Sequence, residues 1–533
     1  VDHRPGHQCQ RRLLHGVSGI GEELTMIHFD LIAPVGEILR RNARLYPEKL
    51  AFEDRRRSVS YARLDAETQA LASRLLASGL KKGQAVAIFL PNSVNWVVAC
   101  LAVVRAGGIS VPVAIDSTEA ELGYRLTDAG CSALISLPEK RPMIECLLQR
   151  LGSPVELIEA NDSTGFDTAG PQSDVFEDDL DVDRPAYIVY TSGTTGQPKG
   201  VLLSTRSMLW VTCACWAPIA GMNENDVVLN TLPLYHSYAL NIAVLSIIAT
   251  GASEYIMEKF STTQATELLR TGRFTFMPGV PTVFHYFLSA CQESGEKLLS
   301  SVRLCVSAGA ILPGPLNSDF EEFFGVPLLD GYGITETSTM VTMNWPGRWR
   351  VSGSCGLPVP GLSVRLVDPK TGHDVPAGTE GELICKGPNL MHGYHNKPAE
   401  TLKAIVDGWY HTGDLAKSDA NGFLTITGRL KELIIRGGQN IAPAEVEETI
   451  LLDHAIMDCA VIGMPHPMLG EVPVACIVPK NAVAFDPDAL LAHCKGRLSA
   501  YKVPDRVYIV AEIPRTGSGK ILRVKLRESL PAA

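Results

Sequence analysis

At 533 residues the chain exceeds what one hydrophobic core usually organises, so two or more domains are expected. Hydrophobic residues at 46% and charged residues at 20% make an ordinary globular mixture and exclude a disordered chain. A net charge of −10 argues against non-specific nucleic-acid binding, which needs a basic surface, but leaves an anionic small ligand to local donors.

The longest apolar run, residues 96–104, is too short to cross a bilayer and is followed by Arg105, so no transmembrane segment is expected. Residues 1–25 lack a continuous apolar stretch and do not read as a secretory signal; they read as a flexible N-terminal extension or tag ahead of Met26. Thirteen cysteines run from Cys9 to Cys494 with no CxxC pair. That pattern predicts reduced, mostly buried thiols in a cytoplasmic protein.

Short β-rich runs then alternate with helical stretches. A strand over 85–90, a helix over 93–105 and a strand over 109–113 open the series, with Gly107 and Gly108 turning between the last two. Strands follow over 187–191, 227–231, 253–257, 274–277 and 303–307, with helices over 238–249, 262–271 and 281–290 between them. Such alternation implies an α/β protein with largely parallel sheets. Beyond residue 430 a separate set of strands, 458–463, 472–478 and 506–511, accompanies a helix near 488–498. The expectation is a large N-terminal body, 26–429, and a small α+β C-terminal domain, 430–533.

Residues 190–200 read YTSGTTGQPKG, between one strand and another over 201–204. Glycines let backbone N–H groups approach a ligand, while Thr191, Ser192, Thr194 and Thr195 add hydroxyls and Lys199 a charge. Polyphosphate oxygens need that combination. The spacing is not a Walker A loop, and a solvated Gly/Thr turn is the ordinary alternative.

This stretch resembles the phosphate-binding signature of the adenylate-forming superfamily: acyl- and aryl-CoA synthetases, luciferases and peptide-synthetase adenylation domains. The resemblance continues through PLYHS at 233–237, DGYGITET at 330–337, YHTGDL at 410–415, GRLKE at 428–432 and PRTGSGK at 514–520. It is nearest to free-standing acyl- or aryl-CoA ligases, and implies a β-subdomain in the large body and a mobile small domain. Thr191, Ser192, Gly193, Thr194, Thr195 and Lys199 would then hold ATP phosphates. Tyr332, between Asp330-Gly331 and Gly333, would pack on adenine, with Gly309 and Ala310 beside it. Thr335 would contact the α-phosphate, and Glu336, with Thr191, would hold Mg²⁺, since a carboxylate beside phosphates needs a cation between them. Asp414 and Arg429 would bind the ribose. Lys520 would lie between the substrate carboxylate and the α-phosphate, where a fixed ammonium stabilises the transition state. Lys431 would be the hinge, and Gly437 and Gly438 would face the thiol tunnel, although a hairpin turn explains those two glycines equally well.

The reaction so implied joins a carboxylic acid to ATP as acyl-AMP, then transfers the acyl group to a thiol. His236 stands where amino-acid-activating relatives carry an aspartate, which argues against an α-amino acid. His236, Ser237, Val280, Gly309, Gly331, Gly333 and Thr339 would line the acyl pocket, with His236 also near the chemistry. The segments 237–245, 278–283, 308–310 and 331–340 contain no Arg or Lys, which suits an uncharged hydrophobic acid. Coenzyme A is the expected acceptor, with a carrier-protein phosphopantetheine as the alternative. A non-catalytic nucleotide-binding scaffold is the reading from another class, and Thr195, Glu336, Asp414 and Lys520 weigh against it. A homodimer is left open.

Overall fold

The structure, a computed structural model, describes residues 27–152, 154–161, 163–166, 176–191, 198–347, 350–483, 485–516 and 519–530. The expected 1–25 extension and Ser192, Gly193, Thr194 and Thr195 of the glycine-rich loop therefore lie outside the described residues. The architecture is mixed α/β, with two large sheets, an all-antiparallel five-stranded sheet and a further five-stranded sheet near the C-terminus.

The strand Ala85–Phe89 explains the layering. Val86 and Ile88 enter one core while Ala85, Ala87 and Phe89 enter another, so both faces of the sheet are covered. A two-residue alternation with both sets apolar is what a buried parallel strand requires. Its sheet runs parallel through Glu156–Asn161, Cys131–Ser136, Ala85–Phe89, Ile109–Pro112 and Pro185–Thr191. It then turns antiparallel at Lys199–Ser204 and Gly393–Tyr394. The other large sheet is parallel from Leu50–Glu53 to Leu328–Ile334 and antiparallel at both edges. Residues from both sheets share one core with the helices Val35–Leu45, Tyr61–Ala77 and Val94–Arg105.

The helix Val94–Arg105 is buried along its whole length, starting at Ser93, whose Oγ accepts the Trp96 N–H at 3.2 Å. It ends on a charge with no solvent contact. Arg105 donates to Asp178 Oδ1 at 2.6 Å, Asp65 Oδ1 at 2.8 Å and Thr68 Oγ1 at 2.7 Å.

One helix differs from expectation. The stretch over 238–249 is not a continuous α-helix: Ser237–Ala239 and Ser246–Thr250 flank a π-helical turn, Leu240–Leu245. A second π-helical turn, Thr212–Trp216, lies against it. Polar pairs join the two: Trp216 Nε1 donates to Asn241 Oδ1 at 2.6 Å, and Thr212 Oγ1 meets Ser246 Oγ at 2.8 Å. Ser246 Oγ also reaches the Asn241 carbonyl at 2.9 Å, joining the Ser246 backbone N–H that closes the wide turn on the same oxygen.

The antiparallel sheet contains Ser363–Val367, Gly381–Lys386 and the hairpin Trp409–Ser418 with Leu424–Arg429. After it the long strands Ile456–His466 and Gly470–Pro479 begin a different body. Cys459 and Val461 face one of its two small cores, Ala460 and Ile462 the other. Gly437 and Gly438 turn the hairpin between Ile434–Arg436 and Gln439–Ile441, with φ of 58° and 83° and Arg436 opposite Gln439. Two consecutive left-handed residues are what the tightest hairpin turn demands. Cys146 is exposed and the other described cysteines are buried and unpaired, while Cys9 lies outside the described residues.

Candidate active site

The site forms where adjacent parallel strands end, the usual ligand position in α/β sheets. Leu304–Ser307 runs parallel to Leu328–Ile334, with Ser307 opposite Asp330. From Gly331 onward the second strand pairs instead with Thr339–Met343. Gly333 permits this close approach: a Cβ there would lie 1.2 Å from the Thr339 carbonyl oxygen. The return path is strained, with Ser338 at φ 51° and Thr339 at φ 106°, conformations that cost a non-glycine residue roughly 1–3 kcal/mol each. Thr339 and Ser307 bury hydroxyls with no hydrogen-bond partner among the described residues.

A cavity of about 520 Å³ opens beside this turn. Gly309, Ala310, Asp330, Gly331, Tyr332 and Gly333 line it together with Asp414, Arg429 and Lys520. The antiparallel hairpin sets Asp414 opposite Arg429, whose Nε reaches Asp414 Oδ1 at 2.9 Å. The Tyr332 hydroxyl donates to Asp414 Oδ2 at 2.6 Å, which fixes the aromatic ring. Burial raises the Asp414 carboxyl above its ordinary range, against the opposing effects of Arg429 and Tyr332. Asp330 is pushed up well beyond that range by burial.

Lys520 comes from the other body, yet faces the same cavity. Burial and the Arg429 charge lower its ammonium, while Glu432 and Asp414 work in the opposite sense. The preceding Gly519 rests on Val280, whose Cγ2 would be 3.2 Å from an added Cβ. Val280 caps the helix Pro281–Ser294 of the large body, so the two bodies meet beside the lysine.

A second group gathers around Glu336. Ser237 Oγ and Thr335 Oγ1 are 3.0 Å apart, which joins the PLYHS and DGYGITET motifs. Tyr394, which no local signal in the sequence marks, donates its hydroxyl to Glu336 Oε1 at 2.9 Å. Lys199 lies 5.0 Å from the Tyr394 ring centre and pairs with Glu400. Thr191 is opposite Lys199 across the hairpin that carries the glycine-rich loop. Burial raises Glu336 above the usual carboxylate range, against its own backbone N–H and the Tyr394 hydroxyl. Among the described residues no group of three or more His, Cys, Asp or Glu could hold a metal. The Glu336 carboxylate is a hard oxygen donor of the kind Mg²⁺ takes, with phosphate oxygens needed to complete the set.

His236 is half-buried, and loss of water around the ring drops its imidazole to about 4. Its ring lies 4.6 Å from that of Tyr235. His236, Ser237, Val280, Thr335, Glu336, Thr339, Thr191 and Lys199 are not in the wall of the Lys520 cavity. Lys431, Gly437 and Gly438 are exposed and also lie outside it. Arg523 and Glu432, which the motifs did not single out for a role, do line it.

The family model for AMP-binding enzymes matches residues 39–395, and that for the AMP-binding enzyme C-terminal domain matches residues 445–520. A feruloyl-CoA synthase from Amycolatopsis sp is 34% identical over 490 residues, 91% of this chain and 97% of that protein. A long-chain-fatty-acid–CoA ligase from Yersinia pestis is 34% identical over 529 residues, 92% of this chain and 93% of that protein. The crystal structure of ATP-bound MatB from Rhodopseudomonas palustris superposes with a TM-score of 0.86 at 33% identity, covering 93% of this chain and 98% of that one. The chain belongs to the AMP-binding enzyme family and is an acid–thiol ligase of the acyl-CoA synthetase type.

Proposed function

We propose that the protein activates an uncharged hydrophobic carboxylic acid with ATP and transfers the acyl group to coenzyme A. A carboxylate is a poor electrophile, and its oxide a hopeless leaving group. In the first half-reaction a carboxylate oxygen attacks the α-phosphorus in line, and the bond to the β-phosphate oxygen breaks, releasing pyrophosphate. In the second the thiol sulfur attacks the acyl carbon, the bond to AMP breaks, and the thiol proton leaves to solvent.

One observation carries this reading: Lys520 of the C-terminal body shares a cavity with Tyr332, Asp414 and Arg429 of the large body. Tyr332 would offer its face to adenine, while Asp414 would accept the ribose hydroxyls beside Arg429. Lys520 would neutralise charge gathering on the α-phosphate, in a site where partial burial strengthens the interaction. Glu336 and Thr191 would hold Mg²⁺, which when bound screens the phosphate charges from the carboxylate. Thr335 would bond the α-phosphate from the same turn, and Lys199 the terminal phosphates. His236, neutral at physiological pH, would orient the acid without adding a charge to the pocket.

The acid's character rests on the wall expected to receive it. Val280, Met340 and Ser237 are buried, and the four pocket segments carry no Arg or Lys. Feruloyl and fatty acyl groups, named for two relatives, both suit such a lining. A turn of the small domain about Lys431 would withdraw Lys520 and bring Gly437 and Gly438 to the thiol. ATP–pyrophosphate exchange across fatty, aryl, terpenoid and amino acids tests the reading. Exchange is expected with an apolar acid, and Lys520→Ala should slow it by about a thousandfold or more. Exchange at near wild-type rate in that variant, or with no acid present, would sink the assignment.

A further inference from the structure

The chain at Lys520 is tied down on both flanks. Thr516 N–H donates to the Lys520 carbonyl at 2.8 Å, and Lys520 N–H donates to Thr516 Oγ1 at 3.1 Å. On the near flank Arg515 donates to the Gly519 carbonyl at 3.0 Å and to Asp458 Oδ1 at 2.7 Å. The far flank is held by Arg523, the first residue of the helix Arg523–Ser529. Its Nε donates to Glu432 Oε2 at 3.0 Å, and its Nη1 donates to Glu447 Oε1 at 2.5 Å and the Val461 carbonyl at 2.8 Å. Its Nη2 reaches Glu447 Oε2 at 3.2 Å. A single guanidinium thereby joins the residue after Lys431, the helix Pro443–Leu451 and the strand Ile456–His466 to the lysine loop.

Glu447 alone would neutralise Arg523, with two oxygens on two nitrogens. Glu432 is therefore an additional carboxylate, and it lines the same cavity as Lys520 and Arg429. We propose that Glu432 and Arg523 are positioning residues for Lys520 in adenylation: Arg523 fixes the chain carrying the lysine, and Glu432, held by Arg523, supplies the counter-charge that keeps the ammonium aimed into the cavity. The proposal rests on the reading of Lys520 given above.

The charges that act most on the ammonium are Arg429, Glu432, Asp414 and Arg523, in a cavity that Asp330, Glu447, Asp458 and Arg515 also line. Of these Arg429 and Arg523 disfavour its proton, and Glu432 and Asp414 favour it. Burial alone would raise the Glu432 carboxyl, but Arg523, Arg429 and Lys520 outweigh this and keep it below the ordinary range, hence ionised.

Two measurements on the full chain test the pair. The first needs no acid substrate: pH-dependent acetylation of Lys520, read by peptide mass spectrometry. Glu432→Gln removes a charge that favours the ammonium, so the labelling midpoint should fall by about one pH unit. A midpoint that stays or rises, as it would if the variant merely loosened and wetted the loop, overturns the proposal. The second separates the half-reactions, using the acid that supports exchange in the wild type. Glu432→Gln and Arg523→Ala should each lower exchange kcat about tenfold or more, with KM for ATP within about threefold. Thioester formation from supplied acyl-adenylate should stay within about threefold, and Arg523→Lys should recover much of the lost exchange. Equal losses in both half-reactions overturn the proposal. So does unchanged exchange in both variants beside an inactive Lys520→Ala. Exchange surviving in Lys520→Ala would overturn the reading of the site itself and this proposal with it.

Discussion

Asp414 holds Arg429 on one oxygen and the Tyr332 hydroxyl on the other. An ionised carboxylate has about four acceptor positions, so a ribose diol binding there would share it with those two donors. His236 is the opposite case, a half-buried titratable ring whose shift comes from lost water rather than from a charge. Its folded value near 4 lies below the unfolded value of about 6.5. The stability this ring contributes is thus fully present above the unfolded value and is lost as pH falls through the folded one. Replacing His236 by Asn should flatten the decline in the first urea-unfolding midpoint between about pH 6.5 and 4. An unchanged decline would show that the ring is wet. At this scale the sequence was most legible, because DGYGITET and YHTGDL are contiguous and keep their chemistry together. Tyr394 was illegible for the complementary reason. It lies 58 positions from Glu336, and the Met391 N–H bond to the Glu336 carbonyl, with the pairing of Gly393–Tyr394 and Lys199–Ser204, brings it near. Glu432 and Arg523, 91 positions apart, meet in the same way.

Elements were legible where periodicity governs them. The strand at Ala85 and the helix after Ser93 show in the sequence because one alternates into two cores and the other is apolar throughout. The π-helical turn Leu240–Leu245 was not, since its cause is a set of polar contacts with a distant partner. Arg105 makes the same point about charge. Read along the chain it only ends an apolar run, whereas in the fold it is buried among Asp65, Asp178 and Thr68. Removing one member of such a buried cluster leaves its partners uncompensated. Arg105→Ala should therefore destabilise the large body by about 3–5 kcal/mol in urea unfolding. A loss under about 1 kcal/mol would mean that water reaches the cluster.

On the scale of the whole molecule, the charge of −10 excludes little beyond nucleic acid, because a cavity can collect its own cations from two bodies. No described helix is long and apolar enough to cross a membrane. If the bodies join after Arg429, as proposed, a proline at residue 431 would lock its φ near −65°. Lys431→Pro should keep ATP–pyrophosphate exchange within about threefold of wild type while lowering CoA-thioester formation by about tenfold or more. Equal effects on both steps would argue against a turn at that point.

Tyr332, Asp414 and Arg429 all precede residue 431, while Glu432, Arg523 and Lys520 all follow it. A swing about that position would carry the second trio away together and leave the first trio standing. The nucleotide half of a reactive mixed anhydride would then keep its grip during the handover, when loss to water is most damaging. Commitment of the intermediate would be built into the order of residues along the chain, and hydrolysis of the adenylate should rise on weakening Asp414 but not on removing Lys520.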